Sequence, residues 1–452
     1  MKLPAYPKYK SSGIEWFGDV PEHWDVKRSD SIVSADRKQL NPVTFADSDV
    51  FHYSIPIVQE IGTGQVETGE SIASAKQLVR KPVVLVSKLN PRKATICLAE
   101  PQSILTLCST EFVSLSADKC DLAFLNYLTR SEHFRQSLDS KVQSVTRSHQ
   151  RANPADIYKF WNAWPPLSEQ TAIAAFLDRE TGRLDRLIAK KRELIERLKE
   201  KRTALISRTV TQGLPPKAAR AAGLPENPPL KPSGLDWLGD IPEHWDIRKF
   251  SREVEIAQGQ VDPENELYSS MLLIGPEHVE SGTGRLLQCA TAADQAAESG
   301  KYYCNEGDVV YSKIRPALRK LVIAPERCLC SADMYPLRAR KRLQNRFIAW
   351  FFLSEEFSGW SILESDRVAM PKINRDTLNE LRMPVPPISE QTVIVAYLDR
   401  ETARLDALVE KVKQAVERLL EYRTALITAA VTGKIDVRRK TAKNPEGVDY
   451  EN

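Results

Sequence analysis

From Ser168 onward, apolar residues recur at heptad spacing: Leu177, Leu184, Leu198 and Leu205 fall on one line, Leu187 and Leu194 on a second. The pattern returns later as Leu398, Leu405, Val412, Leu419 and Leu426, with Leu408 and Ala415 on the second line. Neither 169–209 nor 390–430 contains proline, and Gly182 is the only internal glycine, so each stretch predicts one unbroken helix. At ~1.5 Å per residue such a helix is roughly 60 Å long. Ser168 and Ser389, each following a proline pair, are placed as N-caps. A long helix with a single apolar seam needs a partner, and each is the other's natural one. Lys191 and Lys201 interrupt the first seam where the second copy has Val412 and Tyr422; such polar positions set register at a cost in stability.

Ahead of each helix the pattern changes to short β-branched runs separated by turns, over about 27–164 and 248–385. The clearest strands are 81–88 (Lys-Pro-Val-Val-Leu-Val-Ser-Lys) and 307–314 (Gly-Asp-Val-Val-Tyr-Ser-Lys-Ile), with short helices predicted at 122–137 and 346–358. The fold class is therefore α+β, two mixed domains each followed by a long helix.

The two halves are copies. Gly13-Ile-Glu-Trp16-Phe-Gly18-Asp19-Val-Pro21-Glu22-His23-Trp24 returns 221 residues later as Gly234-Leu-Asp-Trp237-Leu-Gly239-Asp240-Ile-Pro242-Glu243-His244-Trp245. Pro165-Pro166-Leu-Ser168-Glu169-Gln170-Thr171 returns as Pro386-Pro387-Ile-Ser389-Glu390-Gln391-Thr392 at the same offset. Between these markers the copies diverge, although Gly62-Thr63-Gly64 and Gly282-Thr283-Gly284 persist. Framework retained with content changed is the pattern of two readers on one frame, and pseudo-symmetry suits a partner with two-fold symmetry, such as a symmetric dimer or a DNA duplex. The expected boundaries are a first domain at 1–164, its helix at 165–212, a Pro/Ala/Gly-rich linker at 213–230, a second domain at 231–385, its helix at 386–437, and a charged, disordered tail at 438–452.

Composition narrows the classes. No run approaches the ~18 apolar residues of a membrane span, and the opening Met-Lys-Leu-Pro-Ala-Tyr lacks an apolar signal core, so a cytoplasmic location is expected. Seven cysteines without CxxC spacing read as reduced thiols, and Cys328 and Cys330 alone are poor zinc ligands. A formal net charge of +4 decides nothing, so any basic footprint has to be local.

Catalytic patterns are missing from the sequence: no GxxxxGK phosphate loop, no GxGxxG after a strand, no GxSxG elbow and no HExxH. Asn227-Pro-Pro-Leu230 imitates the Asn-Pro-Pro-aromatic motif of amino methyltransferases but lacks the stacking aromatic. His23 and His244 sit inside the repeated Pro-Glu-His-Trp motif, where a structural turn explains them better than a ligand site. No catalytic and no metal-binding residue is therefore assigned.

Basic and polar clusters are more informative. Lys88, Asn90, Arg92 and Lys93 follow the first clear strand; Lys313, Arg315, Arg319 and Lys320 follow the second, each group held by a proline turn. A second pair of clusters precedes the long helices: Thr146, Arg147, Ser148, His149, Arg151 and Asn153 in one half, Arg367, Lys372, Asn374 and Arg375 in the other. Lys and Arg on such loops suit phosphates, while Arg and Asn also suit base edges. All are assigned as candidate DNA contacts, against the plain alternative of basic surface turns.

With its duplicated Pro-Pro-Leu/Ile-Ser-Glu-Gln box running into a long helix and its repeated Gly-x-x-Trp-x-Gly-x-x-Pro-x-His-Trp opening, the chain resembles the specificity subunit of a type I restriction–modification enzyme over nearly its whole length. The resemblance implies two target recognition domains, each reading half of a bipartite, asymmetric DNA sequence, held apart by an antiparallel helical pair. It implies a subunit without catalysis of its own. Two modification subunits would use S-adenosylmethionine to methylate adenine, and restriction subunits, where they exist, would bring ATP and Mg. The competing readings are a duplicated coiled-coil scaffold that binds proteins rather than DNA, and a chain that is itself a methyltransferase or nuclease.

Overall fold

The computed structural model describes residues 4–14, 17–36, 38–90, 93, 95–140, 151–365 and 371–438. The expected disordered tail lies, beyond Arg438, outside the described residues. Two compact units divide the chain, one of residues 1–191 with 414–452, the other of residues 192–413. The two long helices, Leu167–Gln212 and Ile388–Val431, each pass from one unit into the other.

In the first unit an antiparallel sheet runs in the order Ile96–Ala99, Val83–Ser87, Phe112–Ala117, Val33–Asp36. A second sheet runs Gln39–Leu40, Lys76–Leu78, Thr106–Ser109, Asp49–Tyr53, Gln65–Thr68, with Thr106–Ser109 and Asp49–Tyr53 parallel. Val84, Val86 and Leu115 from the first sheet meet Phe124, Leu125 and Phe134 from two short helices. Ile173, Phe176 and Leu177 of the first long helix and Leu426, Ile427 and Ala430 of the second complete this core. The second unit repeats the plan with sheets Val254–Ile256, Met334–Ala339, Val309–Ser312, Leu321–Ile323 and Gln260–Val261, Lys301–Cys304, Cys328–Cys330, Leu273–Ile274. Its core joins Val309, Tyr311, Phe347, Phe351 and Phe352 to Ile206 and Val210 of the first helix and Ile394 and Leu398 of the second.

The α+β class with two long partnered helices is what the sequence predicts, and their antiparallel packing is what the resemblance implies. Within the first unit Asp185 pairs with Arg423 while residues 173–177 meet 426–430, so the helices run in opposite directions. Within the second, Arg202 pairs with Asp406 while 206–210 meet 394–398. At the offset of 221 Asp185 corresponds to Asp406 and Arg202 to Arg423, so the two ion pairs are symmetry mates.

Four local expectations are corrected. The long helices begin at Leu167 and Ile388, with the Pro166 carbonyl accepting from Glu169 and Gln170 and the Pro387 carbonyl from Gln391, so Ser168 and Ser389 lie inside the helix rather than capping it. Each predicted short helix is two, Leu122–Arg130 with Glu132–Asp139 and Asn345–Phe352 with Glu355–Leu363. The break comes where Ser131 and Ser354 turn extended and cap the second piece through Phe134 N and Phe357 N. The stretch read as a linker holds a short helix, Pro216–Ala221, and runs at its end into a strand, Leu230–Pro232, paired with Asp240–Pro242.

The fourth correction concerns the seam. Leu187 and Leu194 are 42% and 43% exposed, whereas Ile188 and Ile195 are buried. Steps of four and three from Leu177 give Thr181, Leu184, Ile188, Lys191, Ile195, Leu198 and Arg202, and this line is buried or half-buried throughout. In the second helix it runs through Leu398, Thr402, Leu405, Val409, Val412, Val416, Leu419, Arg423 and Leu426, leaving Leu408 exposed. Lys201 and Tyr422 are both exposed, so of the two seam lysines only Lys191 lies on the contact line.

Candidate nucleic-acid interface

The frame that carries the readers is held by the Glu-Gln pair of the repeated box. Glu169, itself buried, accepts from Trp24 Nε1 at 3.1 Å and Tyr6 Oη at 2.6 Å, and lies 2.7 Å from His23 Nε2. Burial and this carboxylate push the Tyr6 phenol well above its usual range. Glu390 repeats the arrangement with Trp245 Nε1 at 3.1 Å and His244 Nε2 at 2.8 Å. The neighbouring glutamines reach the other way: Gln170 Oε1 accepts from Asp121 N at 2.9 Å, Gln391 Oε1 from Gln344 N at 3.0 Å. Asp121 and Gln344 are the N-caps of Leu122–Arg130 and Asn345–Phe352. Thus the two repeated motifs, far apart in sequence, form one buried joint in each unit. Gly213 and Gly433 close the far ends of the long helices at positive φ, and a Cβ on Gly433 would stand 2.4 Å from Pro21 Cδ. Asn227-Pro-Pro-Leu230 is part of the frame too, its Pro229 carbonyl accepting from Glu243 N at 2.8 Å.

On this frame the described parts of the two basic clusters of each half come together. An isolated antiparallel bridge joins Leu89 to Arg151 in the first unit, and another joins Ile314 to Lys372 in the second. The loop leaving the strand and the segment entering the frame thus lie side by side in both. The surrounding bonds match: Lys88 N donates to Glu111 O at 2.9 Å and Lys313 N to Asp333 O at 3.0 Å; Ala152 N donates to Lys88 O at 2.8 Å and Ile373 N to Lys313 O at 2.9 Å.

The individual side chains meet different fates. Arg151 and Lys88 face Glu111, with Arg151 Nε 3.1 Å and Lys88 Nζ 3.8 Å from its Oε2. Asn153 and Asn374 cap the helices Pro154–Tyr158 and Arg375–Glu380, accepting from Ala155 N at 2.9 Å and Thr377 N at 2.8 Å. Arg375 donates to the Ile256 and Ala257 carbonyls and lies over the Tyr302 and Tyr335 rings, so it anchors its own sheet. Arg319 Nη1 reaches Leu353 O at 3.4 Å and Lys320 Nζ reaches Pro276 O at 2.6 Å. Lys313 Nζ is 5.3 Å from the Tyr335 ring centre. Lys93, Arg315 and Lys372 are exposed, and Asn90 is half-buried. Arg92, Thr146, Arg147, Ser148, His149 and Arg367 lie outside the described residues. Sequence reasoning missed Glu111, which faces both cations of the first loop; its signal was only a lone acid on a turn between two strands. Among the described residues no group of three or more His, Cys, Asp or Glu is placed to hold a metal ion.

Residues 255–418 match the family described as the type I restriction modification DNA specificity domain. Similar proteins include the type I restriction enzyme EcoDI specificity subunit of Escherichia coli, 29% identical over 335 residues that span 72% of this chain and 74% of the relative. The putative type I restriction enzyme MjaX specificity subunit of Methanocaldococcus jannaschii is 22% identical over 93% of this chain and 96% of its own length. A chain solved in a study of complex assembly and conformational transition of the type I R-M system has the same fold, with a TM-score of 0.67 at 19% identity, covering 91% of this chain and 98% of that one. The HsdS subunit from Thermoanaerobacter tengcongensis gives 0.50 at 18% identity, over 92% and 98%. The chain is thus similar to the specificity subunits of type I restriction–modification enzymes, in sequence and in fold.

Proposed function

We propose that this chain is the sequence-specific DNA-binding subunit of a type I restriction–modification complex, each unit reading one half of a bipartite, asymmetric target. The observation that carries the reading is the paired bridge, Leu89 to Arg151 and Ile314 to Lys372, which joins two basic segments at the same place in two otherwise divergent readers. Around it Lys88, Asn90, Lys93, Arg151 and Asn153 in one unit, and Lys313, Arg315, Arg319, Lys320, Lys372, Asn374 and Arg375 in the other, form the candidate DNA surface; Arg92, Thr146, Arg147, Ser148, His149 and Arg367, outside the described residues, are proposed as DNA contacts from the sequence alone. Cations engaged with carbonyls, such as Arg319, Lys320 and Arg375, contribute by shaping the loops; the open ones, Arg315 and Lys372, are suited to direct contact.

In this reading the chain assembles with two modification subunits, which hold S-adenosylmethionine and methylate adenine, and with restriction subunits where they exist, which hold ATP and Mg. It performs no covalent step itself and works in the cytoplasm; among the described residues no helix is long and apolar enough to cross a membrane. Co-expression with the cognate modification subunits followed by genome-wide mapping of methylated adenines tests the proposal. One bipartite motif, with affinity that falls steeply as salt rises, is expected. Affinity indifferent to salt and methylation at no discrete motif would favour the protein-binding scaffold instead.

A further inference from the structure

In each unit one residue with a side chain holds left-handed backbone directly ahead of a proline: Asn90, at φ 46, before Pro91, and Arg315, at φ 48, before Pro316. This is disfavoured twice over, because a Cβ crowds the left-handed region and a following proline pushes its predecessor towards extended backbone. Glycine would adopt the conformation freely, yet neither loop uses it. The two positions are equivalent. Ser87 Oγ donates to Leu89 O and Ser312 Oγ to Ile314 O, both at 3.2 Å; the next residue is the left-handed one, and its carbonyl accepts from Lys93 N at 2.8 Å or Leu318 N at 2.9 Å. A strained side chain kept at one place in two diverged loops is a functional signal.

The surrounding polar groups single out the same residues. Lys88 and Arg151 are engaged by Glu111, and Arg319, Lys320 and Arg375 by backbone carbonyls. Among the described residues the Asn90 amide and the Arg315 guanidinium make no hydrogen bond or ion pair. Backbone bonds fix the platform: Arg315 N donates to Pro371 O at 2.7 Å, and Pro316 is buried. A side chain on a preset backbone loses less freedom when it binds.

We propose that this left-handed residue is the base-reading position of each reader, Asn90 taking an adenine in one half-site and Arg315 a guanine in the other. The proposal rests on the reading of these loops as DNA-facing. An asparagine amide offers one acceptor and one donor to adenine N6–H and N7, and a guanidinium offers two parallel donors to guanine O6 and N7.

Asn90→Gly and Arg315→Gly remove the side chains while relieving the strained backbone, so the loops keep their shape. The full chain in complex with its modification subunits is titrated with duplexes carrying its methylated motif. Purine replaces each adenine in turn, deleting N6, and 7-deazaguanine replaces each guanine, deleting N7. The unsubstituted complex should lose about 5- to 150-fold in affinity at one adenine of the first half-site and one guanine of the second. Asn90→Gly should abolish the sensitivity at that adenine alone, and Arg315→Gly at that guanine alone. Asn90→Arg should move the methylated motif from adenine to guanine at that base. Glycine variants that keep every base sensitivity, or that lose affinity evenly across sequences as a phosphate contact would, overturn the proposal while leaving DNA reading intact. A complex without variants that methylates no discrete motif overturns the DNA reading and this proposal with it.

Discussion

The two loops share a backbone and differ in what their cations face. In the first unit Lys88 and Arg151 close on the Glu111 carboxylate, whose backbone carbonyl also takes the Lys88 N–H. In the second, Asp333 supplies the same backbone carbonyl to Lys313, but its side chain is one methylene shorter and Lys372 replaces Arg151. Among the described residues no ion pair joins Asp333 to either lysine. The joints beneath behave in the opposite way: Glu169 and Glu390 hold the same Trp and His in both units. Burial explains the contrast. A buried carboxylate bonded to an indole N–H tolerates few replacements, because a side chain without a matching acceptor strands a desolvated donor. A half-exposed loop cation exchanges one partner for water at small cost. Duplication therefore left the frame recognisable and the readers divergent.

The largest effect should come from breaking the frame. Glu169→Ala strands the buried Tyr6 hydroxyl and Trp24 indole and the half-exposed His23, and costs about 3 kcal/mol at ~1–3 kcal/mol per buried stranded group. Glu390→Ala strands the Trp245 indole and the half-exposed His244, with no tyrosine, and costs about 2 kcal/mol. Denaturant unfolding of the two variants measures the difference; equal losses would mean that Tyr6 adds nothing to the first joint.

Next comes the pair of arginines on the seam. Arg202 is buried, donates to the Gly282 and Thr283 carbonyls at 2.9 Å each, and pairs with Asp406 at 3.0 Å, so it bolts a reader loop to the helices. Arg423, its symmetry mate, pairs with Asp185 at 2.9 Å, and that carboxylate is half exposed. Arg202→Met should cost about 2 kcal/mol and Arg423→Met about 1 kcal/mol, the first stranding two carbonyls besides the acid. Thermal melts that rank the two in reverse would show that the loop bonds are unimportant.

This seam also shows how far the sequence could be read. The duplicated motifs revealed two mixed domains, two long helices and their approximate limits, because motif spacing survives when side chains change. The second line of the seam was misread for a physical reason. Leu187-Ile188 and Leu194-Ile195 are adjacent apolar pairs, and the true line passes through Thr181 and Arg202, which look polar until their partners are seen. Candidate contacts were legible as charge clusters, but not their fates. Nothing in sequence separates Arg375, folded onto two tyrosines, from Arg315, left open. Long-range contacts alone decide that.

A smaller effect sharpens the comparison of the loops themselves. Replacing Glu111 by Gln removes the charge that Lys88 and Arg151 face, leaving both cations available to phosphates. At roughly 0.9 per phosphate neutralised, the slope of log affinity against log salt should steepen by about 1 to 2. Asp333→Asn, which has no such pair to release among the described residues, should change it by less than about half as much. Matching changes in the two variants would mean that Glu111 does not restrain its neighbours once DNA is bound.

The smallest expected difference is acid sensitivity, and it belongs to one unit. His133 follows Glu132 at the start of a short helix, packed edge-to-face on Phe17 at 4.3 Å; the same place in the second unit, two residues after the capping Ser354, holds Glu356. Burial, with Lys434 adding to it, holds the His133 imidazole down to about 4. The unfolded chain, with an ordinary histidine near 6.5, therefore binds a proton that the folded chain refuses between these two values. The neutral histidine's contribution is complete above about pH 6.5, declines as pH falls through that window, and is gone once pH passes below the folded value. Replacing His133 by Phe keeps an aromatic ring against Phe17 and removes the titrating group. The variant should lose less stability than the parent between pH 6.5 and 4, read as the shift in denaturant midpoint at each pH. Parallel stability curves for the two proteins would show that His133 does not carry the acid sensitivity of the first unit.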